Sequence, residues 1–234
     1  MNHGTYRPPI PGSQPPYAYD PYGSTRKRAP KQPLVRLPTT WTEASGPSFS
    51  PAVVPPIANL AKTAEGREAI GERIVVAGKV TDEDGRPVPG TMIELWQANA
   101  TGRYDHGGDQ HDAPLDPNFR GIGRVFTDDE GRYRFTSIKP GAYPWRNHPN
   151  AWRPNHIHFS LFGAGYASRL ITQMYFPGDP LLAIDPVYNS IPDPDARARL
   201  VSTFDIELTM PEYALGYRFD LVLRGLSATP FENG

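Results

Sequence analysis

Ile74-Val75-Val76-Ala77-Gly78-Lys79-Val80-Thr81-Asp82-Glu83-Asp84-Gly85-Arg86-Pro87 is the stretch that decides the fold. Its first seven residues, apolar except for Lys79, are rich in β-branched side chains, which suit a buried, pleated strand. The Asp, Gly and Pro that follow are turn formers: Asp bonds its own backbone, Gly takes a left-handed conformation, and Pro presets φ. Thr91-Met92-Ile93-Glu94-Leu95-Trp96-Gln97 then alternates. A strand has period two, so Met92, Glu94 and Trp96 share one face while Ile93 and Leu95 share the other.

The same device returns downstream. Arg124-Val125-Phe126-Thr127 leads into Asp128-Asp129-Glu130-Gly131 and then Arg132-Tyr133-Arg134-Phe135-Thr136. Further strands are predicted near residues 155–162, 169–176, 203–210 and 216–224, and one short helix over residues 193–201, after Pro192. Short strands between Gly- and Asp-rich turns predict an all-β chain, an antiparallel β-sandwich with long loops. The turn-and-strand words from Gly78 to Val88 and from Thr127 to Phe135 resemble prealbumin-like sandwich modules. Many of those are adhesive or structural, so that likeness carries fold and not function.

Upstream the composition changes. Residues 1–56 hold 13 of the 28 prolines. Proline removes amide donors and breaks helices, so this segment is expected to be an extended arm with little regular structure. It also carries Tyr6, Tyr17, Tyr19, Tyr22, Trp41 and Phe49, enough aromatic surface to pack on its own domain or on a partner subunit. The expected organisation is an arm over 1–56 and a sandwich domain over 57–234.

The whole-chain numbers exclude several classes. Lys plus Arg is 24 and Asp plus Glu is 25 in 234 residues, which argues against a nucleic-acid binder held by bulk electrostatics. There are no cysteines, so disulfides, thiolate metal sites and cysteine nucleophiles are all excluded. No apolar run approaches a membrane span, and the first twenty residues lack the apolar core of a secretory signal. The expectation is a soluble, cytoplasmic protein.

Chemistry concentrates between Tyr143 and Phe159. His156 and His158, spaced i and i+2, point to one face of a strand while Ile157 and Phe159 point to the other. Two imidazoles on one rigid face are half of a metal site. Tyr143 stands nearby, and Tyr104 lies in a loop after a core strand. Tyrosine is a rare ligand because its phenol ionises near pKa ~10 in water. A trivalent cation stabilises the phenolate, and hard anionic oxygen favours Fe(III). Each feature alone is weak, since a chain with 12 tyrosines uses most of them as core or rim aromatics and His-x-His occurs on ordinary strands.

The flanking words strengthen the case. Trp96-Gln97-Ala98-Asn99 before Gly102-Arg103-Tyr104, Gly141-Ala142-Tyr143-Pro144-Trp145-Arg146-Asn147, and Trp152-Arg153-Pro154-Asn155-His156-Ile157-His158-Phe159 occur in that order. Gly46-Pro47 and residues 70–80, 113–119, 170–180, 217–225 and 231–233 add further words. Together they resemble the intradiol ring-cleaving dioxygenases, and within that family the iron-bearing β subunits, from about Tyr22 to the end of the chain.

The resemblance implies non-haem Fe(III) held by Tyr104, Tyr143, His156 and His158, with Tyr143 the ligand that yields to substrate. It implies Arg153 as a charge stabiliser, and Tyr22, Trp145, Arg153, Gln173 and Val187 as substrate contacts. Val187 falls where isoleucine is usual in the family. The implied reaction cleaves a small aromatic catechol with O₂ between its two hydroxyl-bearing carbons. An α-type subunit is the implied partner, completing the pocket near a substrate carboxylate in a larger αβ assembly. Relatives acting on catechol or hydroxyquinol carry a helical N-terminal domain, which the proline-rich start disfavours. A non-catalytic sandwich module or a non-catalytic α subunit leaves the four ordered donors without a use. His106 and His111, like His3 and His148, are expected to be solvated loop residues.

Overall fold

The computed structural model describes residues 9–35, 49–145, 152–162 and 169–232. Of the features singled out above, His3, Tyr6, Trp41, Gly46-Pro47, Arg146, Asn147 and His148 lie outside them.

Two sheets enclose one apolar core. The first is antiparallel throughout: β2 (Met92–Trp96) has β3 (Ile122–Phe126) on one side and β7 (His156–Phe162) on the other, and β8 (Arg169–Tyr175) follows β7. The second is built on β1 (Arg73–Thr81). Antiparallel β4 (Arg132–Ile138) lies along one edge of β1. β10 (Leu215–Arg218) and β11 (Leu221–Val222) run parallel to β1 in one continuous register, and β9 (Thr203–Phe204) pairs with β10. The architecture is thus an all-β sandwich whose second sheet is mixed. A two-stranded ribbon, β5 (Tyr143–Pro144) with β6 (Trp152–Arg153), stands apart from both sheets.

Alternation assigns the faces. Ile93, Leu95, Ile157, Phe159 and Leu161 from the first sheet meet Ile74, Val76, Phe135 and Phe219 from the second, all buried. Phe159 sits at the centre, with ring centroids 5.2–6.0 Å from Phe219, Tyr133 and Phe135. Burying one such ring is worth about 1.5–3 kcal/mol. Because inward positions are filled by Ile157, Phe159 and Leu161, the histidines between them must project from the outer face of the sheet.

The break between β10 and β11 has a local cause. A Cβ on Gly78 would lie 1.8 Å from the Phe219 carbonyl oxygen, so only glycine lets the backbones approach this closely. The buried Tyr133 hydroxyl donates to that same carbonyl, and Lys79 N donates to Asp220 Oδ1 at 2.8 Å. The strand expected over 203–210 also ends early. Asp205 Oδ1 accepts from Glu207 N at 2.9 Å and turns the chain after Phe204.

Helical structure is sparse. α1 (Thr25–Arg28) is a single turn within the arm, with no counterpart in the sequence reading. α2 (Pro194–Ala198) starts where expected, because Asp193 caps it and Pro194 occupies the first turn. It ends before Val201, since the Leu200 carbonyl instead accepts from Tyr175 N at 2.8 Å. Among the described residues no helix is long and apolar enough to cross a membrane. The described part of the arm packs on the sandwich: Ser13, Tyr22 and Thr25 are buried, and Gly12 O accepts from Asp193 N at 3.0 Å.

Candidate metal centre

Strand register builds the floor of the site. On β7, His158 lies between Trp96 of β2 and Gln173 of β8, and His156 lies opposite Tyr175. Directly opposed residues share a face, so these side chains cover one patch of the outer surface. The patch is not open to water: His156 is 2% exposed and His158 8%.

Two loops bring the tyrosines over this floor. After β2, Asn99 Oδ1 accepts from Thr101 N and Arg103 N at 3.0 and 2.9 Å, closing a tight turn. Gly102 in that turn has φ +79°, and a Cβ there would stand 2.2 Å from the Ala142 carbonyl oxygen. Asn99 O in turn accepts from Gly141 N at 2.9 Å. The Tyr104 loop and the Tyr143 segment are therefore locked together by backbone contact. The β5–β6 ribbon then sets Tyr143 opposite Arg153, three residues before β7 begins at His156.

The result is a closed ring of four side chains. Centroid separations are 5.4 Å from Tyr104 to Tyr143, 5.5 Å to His156, 4.8 Å to His158 and 6.4 Å back to Tyr104. Each histidine has its Nδ1 engaged. His156 Nδ1 faces Pro154 O at 2.6 Å, and His158 Nδ1 faces Glu232 Oε2 at 2.9 Å. Those partners leave both Nε2 lone pairs for another use. His156 Nε2 lies 3.3 Å from the Tyr143 hydroxyl. The Tyr104 hydroxyl is buried with no hydrogen-bond partner.

An orphaned buried hydroxyl is costly unless something else meets it. A cation held by two imidazole nitrogens and two phenol oxygens is such a partner, and the donor set suits hard ferric iron. Among the described residues no group of three or more His, Asp or Glu side chains forms an alternative metal site. Burial raises the Tyr104 phenol well above its ordinary pKa, the Tyr143 charge adds to this, and the Arg153 charge opposes it. Burial likewise raises Tyr143, against Arg153. Burial, Arg153 and His158 together hold His156 well below the usual imidazole value, so it is neutral and fit to ligate.

Arg153 sits beside this ring in a buried network. Its Nε pairs with Asp185 Oδ1 at 2.9 Å, and its NH2 group donates to Gln173 Oε1. The Tyr175 hydroxyl lies 2.8 Å from Gln173 Oε1 and 3.1 Å from Asp185 Oδ2. Burial works against the guanidinium charge, but Asp185 outweighs it and Arg153 stays cationic. Gln173 Nε2 is buried and makes no close hydrogen bond, with the Glu232 carboxylate the group it faces. The guanidinium carbon lies 5.3 Å from the centroid of Trp145, and Tyr22 meets Trp145 edge-on at 4.9 Å. Tyr22, rather than the nearby Tyr17 or Tyr19, is thus the arm tyrosine at Trp145. Val187 is buried, its amide 3.3 Å from Asp185 Oδ1.

Four site residues escaped the sequence reading of function. Asp185 holds Arg153, Tyr175 bridges Asp185 and Gln173, Trp96 stacks on His158 at 4.7 Å and 6°, and Glu232 engages His158. Trp96 has a signal in the sequence, since alternation sets it on the face opposite Ile93 and Leu95. A cavity of about 930 Å³ opens beside the ring, bordered by Trp96, Tyr104, Tyr143 and Trp145 and farther out by His106 and His111. Those two histidines belong to the cavity wall and not to the donor ring.

Comparison with known proteins places these features in context. A family model described as dioxygenase matches residues 44–225, and one described as protocatechuate 3,4-dioxygenase beta subunit N terminal matches residues 6–40. The chain is 57% identical to the protocatechuate 3,4-dioxygenase beta chain of Burkholderia cepacia over 94% of both chains. It is 32% identical to the alpha chain of that enzyme from Pseudomonas putida, over 70% of this chain and 77% of the relative. Among solved structures, the dioxygenase domain of a carbohydrate-binding fusion protein from Streptomyces sp. SirexAA-E superposes with a TM-score of 0.53 at 28% identity, covering 77% of this chain and 95% of that one.

Proposed function

The chain belongs to the intradiol ring-cleaving dioxygenase family, and on that premise we propose that it works as the β chain of a protocatechuate 3,4-dioxygenase. The reaction takes protocatechuate and O₂ to 3-carboxy-cis,cis-muconate. The ring opens between its two hydroxyl-bearing carbons, and both oxygen atoms enter the product. The match of the arm to the beta-subunit N-terminal model supports this assignment over the catechol and hydroxyquinol branches. The observation that carries the chemistry is the buried ring of Tyr104, Tyr143, His156 and His158, with one phenol orphaned, both histidines anchored through Nδ1, and His156 Nε2 turned to the Tyr143 hydroxyl.

In this proposal those four residues hold non-haem Fe(III). Ferric iron held there would supply a Lewis acid that the two catechol oxygens could chelate, withdrawing electron density from the aromatic ring and opening it to attack by O₂. The remaining work falls to the chain. Two hydroxyl protons must leave the substrate: the Tyr143 oxygen, ionised while it serves as a ligand, accepts one, and a solvent-derived base takes the other. Tyr143 suits this role because it lies at the cavity edge on a two-residue ribbon strand rather than within a sheet. Arg153 presents a fixed positive charge where the ring becomes anionic, and its pairing with Asp185 keeps it from reorienting during the reaction. Gln173, its Oε1 occupied by Arg153 and Tyr175, is left to donate from Nε2. Tyr22 and Trp145 form an aromatic wall against the substrate plane, and Val187 backs the Arg153–Asp185 pair.

The cavity leaves space beyond a single aromatic ring. An α-type chain completing the pocket at the substrate carboxylate fits that space, and relatives occur as both alpha and beta chains. The test is to coexpress the chain with an α-type chain and supply protocatechuate under heavy-isotope dioxygen. The expected product is the intradiol dicarboxylate carrying label from both oxygen atoms. An extradiol semialdehyde, or an unlabelled product, would contradict the proposal.

A further inference from the structure

The two histidines of the ring are anchored in different ways. His156 Nδ1 is met by the carbonyl of Pro154, two residues away in its own strand lead-in. His158 Nδ1 is met by the carboxylate of Glu232, 74 residues away. Glu232 rides on a C-terminal strap that leaves β11 and crosses to β8. Thr229 N donates to Val222 O at 2.8 Å, Thr172 Oγ1 to Pro230 O at 2.7 Å, and Glu232 N to Ile171 O at 2.6 Å. The arm secures the strap from outside. Phe231 N donates to Gln14 Oε1 at 2.9 Å, and the Tyr17 and Phe231 rings stand 6.1 Å apart.

We propose that Glu232 is a positioning residue for His158, and that the arm, through Gln14, holds in place the strap that carries it. This rests on the reading of His158 as an iron ligand. The Glu232 carboxylate accepts from Nδ1–H, which fixes the tautomer with the Nε2 lone pair facing the ring. Trp96, stacked parallel to the imidazole, sets the ring plane, so tautomer and orientation are both determined. A carboxylate differs from a carbonyl here: it sets a full negative charge beside the imidazole and holds it from a distant part of the chain. The chain therefore pairs one histidine with a neutral anchor and the other with an anionic one. Iron retention becomes coupled to the docking of the strap against Gln14 of the arm, although neither segment supplies a ligand.

The test uses the full chain with its α-type partner, loaded with ferric iron. It measures iron release to a ferric chelator, the tyrosinate-to-iron absorption band, and thermal unfolding of the metal-free protein. Glu232→Ala is expected to release iron about 10–100-fold faster and to shift the band. Glu232→Gln keeps an acceptor oxygen without the charge, so it should retain iron within a few-fold of wild type yet still shift the band. Gln14→Ala, which touches no ligand, should speed release by about 5-fold, the factor for one hydrogen bond. Wild-type release and an unshifted band in Glu232→Ala would overturn the inference. If metal-free Glu232→Ala does not fold, an unshifted band in Glu232→Gln together with wild-type release in Gln14→Ala overturns it instead. Wild-type protein that takes up no ferric iron refutes the ligand reading itself, and this inference with it.

Discussion

His156→Ala is expected to abolish iron retention and, with it, turnover. Loss of an outer partner of a metal ligand costs about 10–100-fold in metal affinity, so loss of a ligand should exceed about 100-fold. The position offers no substitute. His156 is buried, the opposing Tyr175 hydroxyl is already shared between Gln173 and Asp185, and no third histidine reaches the ring among the described residues. Yet the fold should survive, because His156 projects from the outer face while Ile157 and Phe159 fill the core. The expected outcome is a folded, colourless, inactive protein, checked by metal analysis and circular dichroism. Iron at wild-type occupancy in this variant would refute ligation by His156.

The second large effect concerns Arg153 and Asp185, a buried ion pair. Asp185→Ala leaves a guanidinium buried without its counter-charge, which costs about 3–5 kcal/mol. Urea unfolding should show that loss. Arg153→Met removes the positive charge from the ring and should lower kcat by about 10²–10³-fold, the range for deleting one fixed electrostatic stabiliser. The double variant Arg153→Met/Asp185→Leu separates the two roles. It should regain most of the stability lost in Asp185→Ala, since no unpaired charge remains, and yet stay as slow as Arg153→Met. Recovery of activity in the double variant would mean that Arg153 serves only to neutralise Asp185.

The sequence carried the faces and the donors because both depend on local periodicity. Alternation in Met92–Trp96 and His156–Phe162 sorts core residues from site residues with no knowledge of which strands pair. Much of what it missed is long-range. The Arg153–Asp185 pair spans 32 residues and needs two short 3₁₀ turns, Pro180–Ala183 and Tyr188–Ser190, to present the carboxylate. The His158–Glu232 contact spans 74 residues, and β10 and β11 reach β1 across 141. The β5–β6 ribbon has only two residues per strand, one of them Pro144, which gives no periodicity to read. In 203–210 periodicity misled: Phe204, Ile206 and Leu208 alternate as a strand would, but the Asp205 side chain folds the segment back and leaves Phe204 and Ile206 exposed.

Whether Tyr104, Tyr143, His156 and His158 form one ferric site is decided by metal analysis combined with visible absorption of the protein coexpressed with an α-type chain. One ferric iron is expected for each copy of this chain, together with a broad tyrosinate-to-iron absorption band. That band should change in energy and intensity in Tyr104→Phe, where one phenolate is lost. A folded, catalytically active protein that is iron-free and colourless would contradict the ferric site.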